Sequence, residues 1–368
     1  MIDNTEKHDT KATASTGRPD RGDIAEMLAT ATTSGTESLF SQALGVRVEK
    51  LGTKAYLRGI VEFSNVCAEN CLYCGIRKDN RNAKRFTLPK EEILKEARGI
   101  HGKRYGSIVL QAGERRDKEF VLFVEDILKE IKKIGDGALG ITISLGEQTE
   151  DTYKRWFDAG AHRYLLRIET SNPALFAEIH PPTASFEKRR GCLDILRKLG
   201  YQVGTGVMIG FPGQSIGDIA DDIEFFRSQD IDMIGMGPFI PHKDTPMGAE
   251  RADFDPRFQL ELALKTIAAT RLALPDANIA AATSLRALRD DARIDALLAG
   301  ANVLMPNVTD GAVRPSYDLY DGKPMDDTDL DAVERELRAN GLEIGWDEWG
   351  DSPRFHKRKT AMEATRHA

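Results

Sequence analysis

Short apolar runs alternate with longer amphipathic stretches along most of this 368-residue chain. From about residue 50 to about residue 320, runs of strand length are followed by segments whose apolar positions recur at helical spacing. The predicted strands are Ala55–Glu62, Ser107–Gln111, Gly140–Leu145, Arg163–Ile168, Gln202–Ile209, Met233–Phe239, Asn278–Thr283 and Ala301–Met305. The predicted helices are Lys90–Ile100, Lys118–Ile134, Glu150–Ala159, Pro173–Ile179, Phe186–Leu199, Ile216–Ser228, Arg257–Leu274 and Arg286–Leu298. This alternation predicts an α/β fold, a complete (β/α)8 barrel of the TIM type.

The segments outside the alternating region have different patterns. Residues 1–20 are polar and charged, which predicts a disordered tail, and residues 21–50 predict an N-terminal helical segment. The barrel is assigned to residues 51–320, and residues 321–368 form a C-terminal extension whose place in the fold the sequence leaves open. Two smaller stacked domains are the alternative, but no linker-like stretch divides the run.

Composition excludes some classes of function. Hydrophobic residues make up 41% of the chain, which is enough for a sizeable core. A formal net charge of −7 argues against non-specific nucleic-acid binding, which needs a basic face. No apolar run is long enough to span a membrane, and the polar N-terminus lacks the apolar region of a secretory signal. Few cysteines, most of them in one loop, favour a reducing cytoplasm.

Cys67, Cys71 and Cys74 form a C-x3-C-x2-C triplet on a loop that follows the first predicted strand. Three thiolates on so short a loop can hold three irons of a [4Fe–4S] cube and leave the fourth iron open, whereas electron-transfer clusters are normally held by four cysteines. A zinc site is the alternative, but zinc takes four ligands and the nearby sequence offers no histidine or fourth cysteine. A disulfide with one spare thiol requires an oxidising compartment. The fourth cysteine, Cys192, lies in a helical pattern and is expected to be a small buried hydrophobe.

Polar residues gather where the predicted strands end. The residues at or just after strand ends include Gln111, Glu114, Glu147, Arg167, Glu169, His242, Thr283 and Asn307. Since the C-terminal ends of the strands carry the active site in a barrel of this type, we expect one site to collect these side chains and the cysteine loop.

The triplet, with Tyr73 just before its third cysteine, resembles the signature of the radical S-adenosylmethionine (SAM) enzymes. Longer stretches resemble one branch of that superfamily, the [FeFe]-hydrogenase maturase family HydE, which lies close to biotin synthase. These stretches are Glu62–Cys67, Cys74–Asn80, Tyr164–Thr170 and Gly237–His242, within a resemblance that extends from about residue 50 to about residue 320. The resemblance implies one [4Fe–4S] cluster held by the three cysteines, with SAM chelating the open iron.

The resemblance also implies the residues that contact SAM. The pair Gly113-Glu114 corresponds to an element that meets the ammonium group of SAM, where a glycine permits close approach of the backbone. Glu169 would accept hydrogen bonds from the ribose hydroxyls, and Arg189, with Arg190 as its neighbouring alternative, would bind the carboxylate. The alternatives are a solvated carboxylate at Glu114 and an exposed charge at Arg189. The other expected contacts are Tyr73 beside adenine, Met233, Met305 and Tyr317, and a plain core role is the alternative for each aromatic and for Met305.

A polar and partly cationic substrate cavity is expected beyond the SAM site. Its expected residues are Arg58, Gln111, Thr142, Arg167 and Thr283. A buried arginine such as Arg58 is costly without an anionic partner, so this cavity suits a small anionic ligand. A salt bridge between Arg58 and Glu62 at the bottom of the barrel is the alternative.

The sequence departs from the family pattern in several places. Some members carry a second cysteine triplet near the C-terminus, but residues 310–320 contain no cysteine, so we expect one cluster only. Ile168 stands where the family motif has histidine, and Ala280 begins a stretch in which one hydroxyl of the family pattern is lost. These changes keep open a paralogue with an altered substrate.

The resemblance implies reductive cleavage of SAM to a 5′-deoxyadenosyl radical. It places that chemistry in assembly of the diiron subcluster of [FeFe]-hydrogenase, on an iron–carbonyl–cyanide–cysteine precursor. The expected partners are the other hydrogenase maturases and an electron donor, with no nucleic acid and no membrane. Sulfur insertion, a methylornithine-type mutase reaction and a non-catalytic iron–sulfur scaffold are the alternatives.

Overall fold

The computed structural model of the chain describes residues 17–248, 254–325 and 329–366. The strands are β1 (Lys54–Ser64), β2 (Ser107–Ala112), β3 (Gly140–Ser144), β4 (Arg163–Leu165), β5 (Gln202–Thr205), β6 (Met208–Ile209), β7 (Met233–Ile234), β8 (Gly237–Pro238), β9 (Asn278–Ala281), β10 (Val303–Leu304) and β11 (Glu343–Gly345). Parallel pairing runs in the order β10, β9, β7, β5, β4, β3, β2, β1, and β1 pairs again with β10. The sheet is therefore a closed barrel of eight parallel strands, which confirms the predicted fold.

From β3 onward, the barrel strands end earlier than predicted where they approach the mouth. The predicted strand Gln202–Ile209 is divided into β5 and β6, and Met233–Phe239 is divided into β7 and β8. The division falls where Gly206 packs against the backbone of Gly235, since a Cβ atom on Gly206 would lie 1.9 Å from the Gly235 carbonyl oxygen. The outer pieces, β6 and β8, pair with each other as a separate two-stranded sheet above the barrel.

Helices surround the barrel and extend it at both termini. They are α1 (Arg21–Ala29), α2 (Thr33–Leu51), α3 (Lys90–Gly102), α4 (Lys118–Ile131), α5 (Glu150–Asp158), α6 (Pro173–Ile179), α7 (Phe186–Leu199), α8 (Ile216–Ser228), α9 (Pro256–Ala273), α10 (Ala292–Leu298), α11 (Leu330–Ala339) and α12 (Pro353–Arg366). Side-chain caps fix several helix starts, as where Asp117 begins α4 and Ser215 begins α8. The predicted helix Arg286–Leu298 is a 3₁₀ turn over Thr283–Ala287 followed by α10. Consecutive polar residues at 289–291 interrupt its apolar period.

The N-terminal helices pack on the outside of the barrel, where α1 contacts α8 and α2 contacts α9. A disordered tail is predicted over residues 1–20. Residues 1–16 of this tail lie outside the described residues. Within the rest, Pro19 is buried and its carbonyl accepts a hydrogen bond from Arg227, while Asp20 caps α1. The last residues of the predicted tail are thus part of the packed structure.

The C-terminal extension covers the end of the barrel opposite the cysteine loop. Strand β11 adds to the start of β1, with Lys54 opposite Glu343. Beyond it, the carbonyl of Gly350 accepts hydrogen bonds from Arg58 and Asn278, both inside the barrel. This extension therefore supplies the polar partners that close the bottom of the barrel.

A buried ion pair completes this closure. Arg163, at the start of β4 and fully buried, donates to Asp351 at 2.5 Å and to the side chains of Thr142 and Ser107. Burial acts against ionisation of Asp351, but His162 and Arg163 outweigh it and lower the pKa of that carboxyl. Among the residues the structure describes, the helices are all too short or too polar to cross a bilayer.

Candidate active site

A cavity of about 260 Å³ opens at the C-terminal ends of the barrel strands. Of the residues predicted to bind the cluster, SAM or substrate, it is lined by Cys67, Cys71, Cys74, Tyr73, Gln111, Gly113, Glu114, Arg167, Glu169, Arg189 and Tyr317. The fold thus gathers side chains from β1 to β4, from α7 and from the segment after β10 into one place.

The cysteine loop is held by backbone hydrogen bonds to its neighbours. Ala68 N–H donates to the carbonyl of Glu114 at 2.8 Å, and Leu72 N–H donates to the carbonyl of Ile179 at 2.9 Å. The guanidinium of Arg85 donates to the carbonyls of Asn65 and Ile76, both at 2.7 Å. These contacts fix both flanks of the loop, so that its three thiols face the same cavity.

The thiols suit metal coordination. All three cysteines are free and partly exposed, and they form no disulfide with one another. Burial raises the pKa of Cys71 to about 12 and raises that of Cys74 as well. Thiols whose pKa is raised in this way are poor nucleophiles, whereas a bound metal holds them as thiolates. With three thiols and no disulfide, the residues present fit a cluster that takes three protein ligands.

Gly113 allows the second strand to approach the cysteine loop. A Cβ atom at this position would lie 2.5 Å from the carbonyl oxygen of Val66 and 2.9 Å from Cβ of Cys67. Only glycine therefore fits here without moving the loop. The adjacent Glu114 is buried, and burial raises its pKa to about 7. Its carboxylate contacts Arg116 rather than solvent, so the alternative of a solvated carboxylate does not hold.

Arg116 ties the cysteine loop to two strand ends. Its guanidinium contacts the carboxylate of Glu114 and also lies 3.1 Å from Oε1 of Glu69, a residue between Cys67 and Cys71 in the sequence. Its Nε donates to the carbonyl of Glu147 at 3.1 Å. Sequence reasoning did not identify Arg116, because a charged residue in a loop is usually solvated.

Arg189 is oriented by Glu147 at the end of β3. Its Nε donates to Glu147 Oε1 at 2.9 Å, and its Nη1 donates to the carbonyl of Arg167 at 3.3 Å. Burial opposes the charge on Arg189, but Tyr73 and the carboxylates of Glu147 and Glu114 together outweigh it, and the pKa of the guanidinium is raised. Arg189 is 7% exposed, whereas the side chain of Arg190 is 40% exposed and pairs with Glu187. The structure thus brings Arg189, and not Arg190, to the cavity.

Glu169 follows β4 in a left-handed backbone conformation, with φ of +66°. This region is unfavourable for a residue with a side chain and costs on the order of 1–3 kcal/mol. Backbone hydrogen bonds to Gly206 and Met208 hold it there, and the carboxylate lines the cavity. Nη2 of Arg167 lies 2.9 Å from Glu169 Oε2, while Nε of Arg167 has no hydrogen-bond partner in the described part of the chain.

Tyr73 packs against His180, which sequence reasoning did not identify. The Tyr73 hydroxyl lies 3.4 Å from Nε2 of His180, and Nδ1 of His180 lies 2.9 Å from the carbonyl of Phe176. Burial lowers the pKa of His180 to about 3. The ring is therefore neutral, and its Nδ1 donates to the carbonyl while Nε2 accepts from Tyr73.

Four other expected site residues lie deeper in the barrel. Arg58, Thr142, Met233 and Met305 line a second cavity of about 30 Å³, and Leu165 stands between it and the first. Arg58 is opposite Ser107 at the start of β2, so its guanidinium reaches the C-terminal extension rather than the mouth. Its alternative partner, Glu62, pairs with Lys323 instead.

The single polar cavity expected from the sequence is thus divided into two, and Thr283 lines neither, although its neighbour Ser284 lines the upper one. Sequence reasoning also missed several residues that line the upper cavity. These are Ile240, Leu319 and Tyr320. Leu319 and Tyr320 belong to the segment after β10, whose path over the cavity no local pattern indicates.

Comparisons with known proteins agree with this geometry. Residues 61–226 match the family model of the Radical SAM superfamily, and residues 237–343 match the Biotin and Thiamin Synthesis associated domain. The [FeFe] hydrogenase maturase subunit HydE of Thermotoga maritima is 44% identical over 324 residues, which cover 86% of this chain and 89% of that protein. The 3-methylornithine synthase of Methanosarcina acetivorans is 26% identical over 322 residues, 86% of each chain.

Solved structures share the fold. The crystal structure of methylornithine synthase has a TM-score of 0.77 at 24% identity and covers 90% of this chain and 96% of its own. The maturase HydG from Carboxydothermus hydrogenoformans has a TM-score of 0.74 at 22% identity, covering 88% of this chain and 75% of its own.

These likenesses, the barrel and the cysteine triplet agree. The chain has the cofactors of the superfamily, a [4Fe–4S] cluster and SAM. It is an enzyme of the radical SAM type and belongs to the family of the [FeFe]-hydrogenase maturase HydE.

Proposed function

We propose that this chain cleaves SAM reductively and uses the resulting radical on a ligand held in the barrel. The observation that carries the proposal is that three free thiols, Glu169 and Arg189 line one cavity at the barrel mouth. When bound, a [4Fe–4S] cluster with one open iron would supply the site for the methionine moiety and the electron that breaks the C5′–S bond.

The residues of the chain position and shield SAM. Cys67, Cys71 and Cys74 would hold the cluster. Arg189, fixed by Glu147, would bind the SAM carboxylate with the part of its guanidinium that faces the cavity, and Glu169 would accept from the ribose hydroxyls. The remaining SAM contacts follow the family resemblance, with the Gly113-Glu114 backbone near the ammonium group and Tyr73 near adenine. Tyr317 and Tyr320 cover the cavity and would exclude water.

The leading physiological role is assembly of the diiron subcluster of [FeFe]-hydrogenase from an iron–carbonyl–cyanide–cysteine precursor. The 44% identity to a HydE protein supports this role. Gln111 and the unpartnered Nε of Arg167 give the cavity donors for an anionic ligand. The case for a substrate contact is weaker for three of the proposed residues, because they lie outside the upper cavity. These are Arg58, Thr142 and Thr283. We propose the cytoplasm as the location, with the other maturases and an electron donor as partners.

In vitro maturation tests this role. Apo-hydrogenase, the other maturases and a synthetic iron–carbonyl–cyanide–cysteine complex are incubated with SAM and reductant, with or without this chain. Hydrogenase activity that depends on both the chain and SAM supports the role. SAM cleavage without any gain in hydrogenase activity contradicts it.

A related reaction on another small molecule is the second candidate. The likeness to a 3-methylornithine synthase over 86% of each chain favours a mutase reaction. The absence of cysteine from residues 310–320 argues against sulfur insertion, which draws sulfur from a second cluster in biotin synthase. Deuterium transfer from a candidate amino acid into 5′-deoxyadenosine would distinguish a mutase, while a non-catalytic scaffold would release no 5′-deoxyadenosine at all.

A further inference from the structure

A basic segment follows directly after the third cysteine. Residues 75–86 contain Arg77, Lys78, Arg81, Lys84 and Arg85 against a single acid, Asp79, a local net charge of +4. The whole chain has a net charge of −7, so this segment contrasts in sign with the rest of the molecule.

Backbone hydrogen bonds join the basic segment to the cysteine loop. Lys78 N–H donates to the carbonyl of Glu69 at 2.8 Å, and Arg77 N–H donates to the carbonyl of Cys74 at 3.1 Å. Lys78, Arg81 and Lys84 are exposed. Their charges are therefore presented to solvent on the outer side of the loop that carries the three thiols.

These three cations have no ion-pair partner within the described residues. Some exposed lysines elsewhere do: Lys50 pairs with Glu49 at 2.6 Å, Lys133 with Glu130 at 2.7 Å and Lys198 with Glu150 at 2.9 Å. Unpaired charges of one sign generate a local potential that steers oppositely charged molecules.

We propose that Lys78, Arg81 and Lys84 form the docking surface for an acidic one-electron carrier protein. Redox encounters are small, transient interfaces whose association rate depends on charge complementarity. Docking here would bring the carrier to the loop that holds the cluster. In the transfer step the reduced carrier loses one electron and the cluster gains it, and no covalent bond forms or breaks. The inference rests on the proposed function, because only an enzyme that reduces its cluster requires such a donor.

The test uses the full chain with its cluster reconstituted and two matched triple variants. In K78E/R81E/K84E the docking surface is reversed. In K50E/K133E/K198E the same number of exposed cations is reversed, and each of them lies near the C-terminal end of a helix or just beyond it, away from the cysteine loop. The probe is a reduced two-cluster bacterial ferredoxin. Binding is measured by biolayer interferometry, and the second-order rate of cluster reduction is measured by stopped-flow absorbance.

The expected result at low salt is a loss of at least about tenfold in both affinity and reduction rate for the first variant only. The difference should shrink at high salt, where charges are screened. Reduction by dithionite should be equal in all three proteins. Equal ferredoxin rates in wild type and the first variant overturn the proposal, as does a wild-type chain that does not bind ferredoxin.

Two other outcomes also count against it. Loss of the cluster in the first variant would mean that the three side chains hold the loop rather than a partner. Salt-sensitive binding of a short single-stranded RNA that the same variant loses, with ferredoxin unaffected, would make the surface a nucleic-acid site. Failure of the proposed function would give a different result from failure of the docking proposal. In that case the chain would not cleave SAM with dithionite, even if ferredoxin binds to it.

Discussion

Replacement of Arg189 by methionine should weaken SAM binding while leaving the fold and the cluster in place. In the structure, Nε of Arg189 is engaged by Glu147 and Nη1 by a backbone carbonyl. Nη2 makes no hydrogen bond within the described residues and remains for a ligand. Methionine has a similar length and can pack on Phe176, over whose ring the guanidinium lies at 5.7 Å.

The size of the effect follows from the contact that is lost. A hydrogen bond to a charged group contributes about 1.5–3 kcal/mol. Because each 1.4 kcal/mol changes a dissociation constant about tenfold, we expect the Kd for SAM to rise roughly 10- to 150-fold. The buried carboxylate of Glu147 keeps a cation after the substitution, since Nζ of Lys188 lies 3.2 Å from its Oε2. Global unfolding is therefore not expected.

The assay is a SAM titration of the dithionite-reduced cluster, followed by electron paramagnetic resonance. The matched control is Arg190→Met, which removes the neighbouring guanidinium from the exposed face of α7. We expect the control to bind SAM within about twofold of wild type, because exposed ion pairs contribute little. An Arg189→Met variant that binds SAM as wild type does, or an Arg190→Met variant that loses binding, would refute the assignment.

Three further outcomes are expected. Cys71→Ala should lose the cluster and all SAM cleavage, whereas Cys192→Ala, in the buried face of α7, should keep both in iron and 5′-deoxyadenosine assays. Lys323→Met should lower the free energy of unfolding by about 3–5 kcal/mol, because it leaves the buried carboxylate of Glu62 without the ammonium group at 2.6 Å. Asp222→Asn should gain stability over wild type as pH rises from about 4 to 7. Burial raises the pKa of Asp222 from 3.8 to about 7, so over that range the carboxyl ionises in the unfolded chain but stays protonated in the folded one, and wild type loses up to about 4 kcal/mol of stability.

Each of these has its own contradictory result. Full SAM cleavage by Cys71→Ala would remove the cluster assignment. The double variant Glu62→Gln with Lys323→Met should recover part of the lost stability in denaturant unfolding, and no recovery would mean that Lys323 acts only through the Tyr317 carbonyl to which it also donates. A stability difference between Asp222→Asn and wild type that does not change with pH would show that the carboxyl is ionised throughout.

The barrel could be predicted because its signal is local. Each strand is a short apolar run and each helix an amphipathic stretch, so the alternation alone specifies the βα order. Most predicted helices begin within a residue of the observed start, since residues such as Asp117 and Ser215 mark their caps. The breaks between β5 and β6 and between β7 and β8 could not be predicted. They arise from the contact of Gly206 with Gly235, which are distant in sequence.

The cysteine loop and the family positions of Glu169 and Arg189 could also be read from sequence. The depth of a residue in the barrel could not. Arg58 and Gln111 lie on adjacent strands, yet one reaches the bottom of the barrel and the other lines the mouth. Depth depends on the stagger between strands, which leaves no mark on the hydrophobic pattern. The sequence also shows no sign that residues 343–351 close the bottom of the barrel. Their partners lie on β1 and β4, which are far away in the sequence.

Release of 5′-deoxyadenosine by the anaerobically reconstituted chain shows whether the cysteine loop holds a cluster that binds and cleaves SAM. If the three thiols of one loop bind a cluster whose open iron takes SAM, 5′-deoxyadenosine should form only when iron, sulfide, SAM and reductant are all present. Its amount should then rise in proportion to cluster content. A colourless protein that retains zinc on these cysteines and leaves SAM intact under reducing conditions would contradict it.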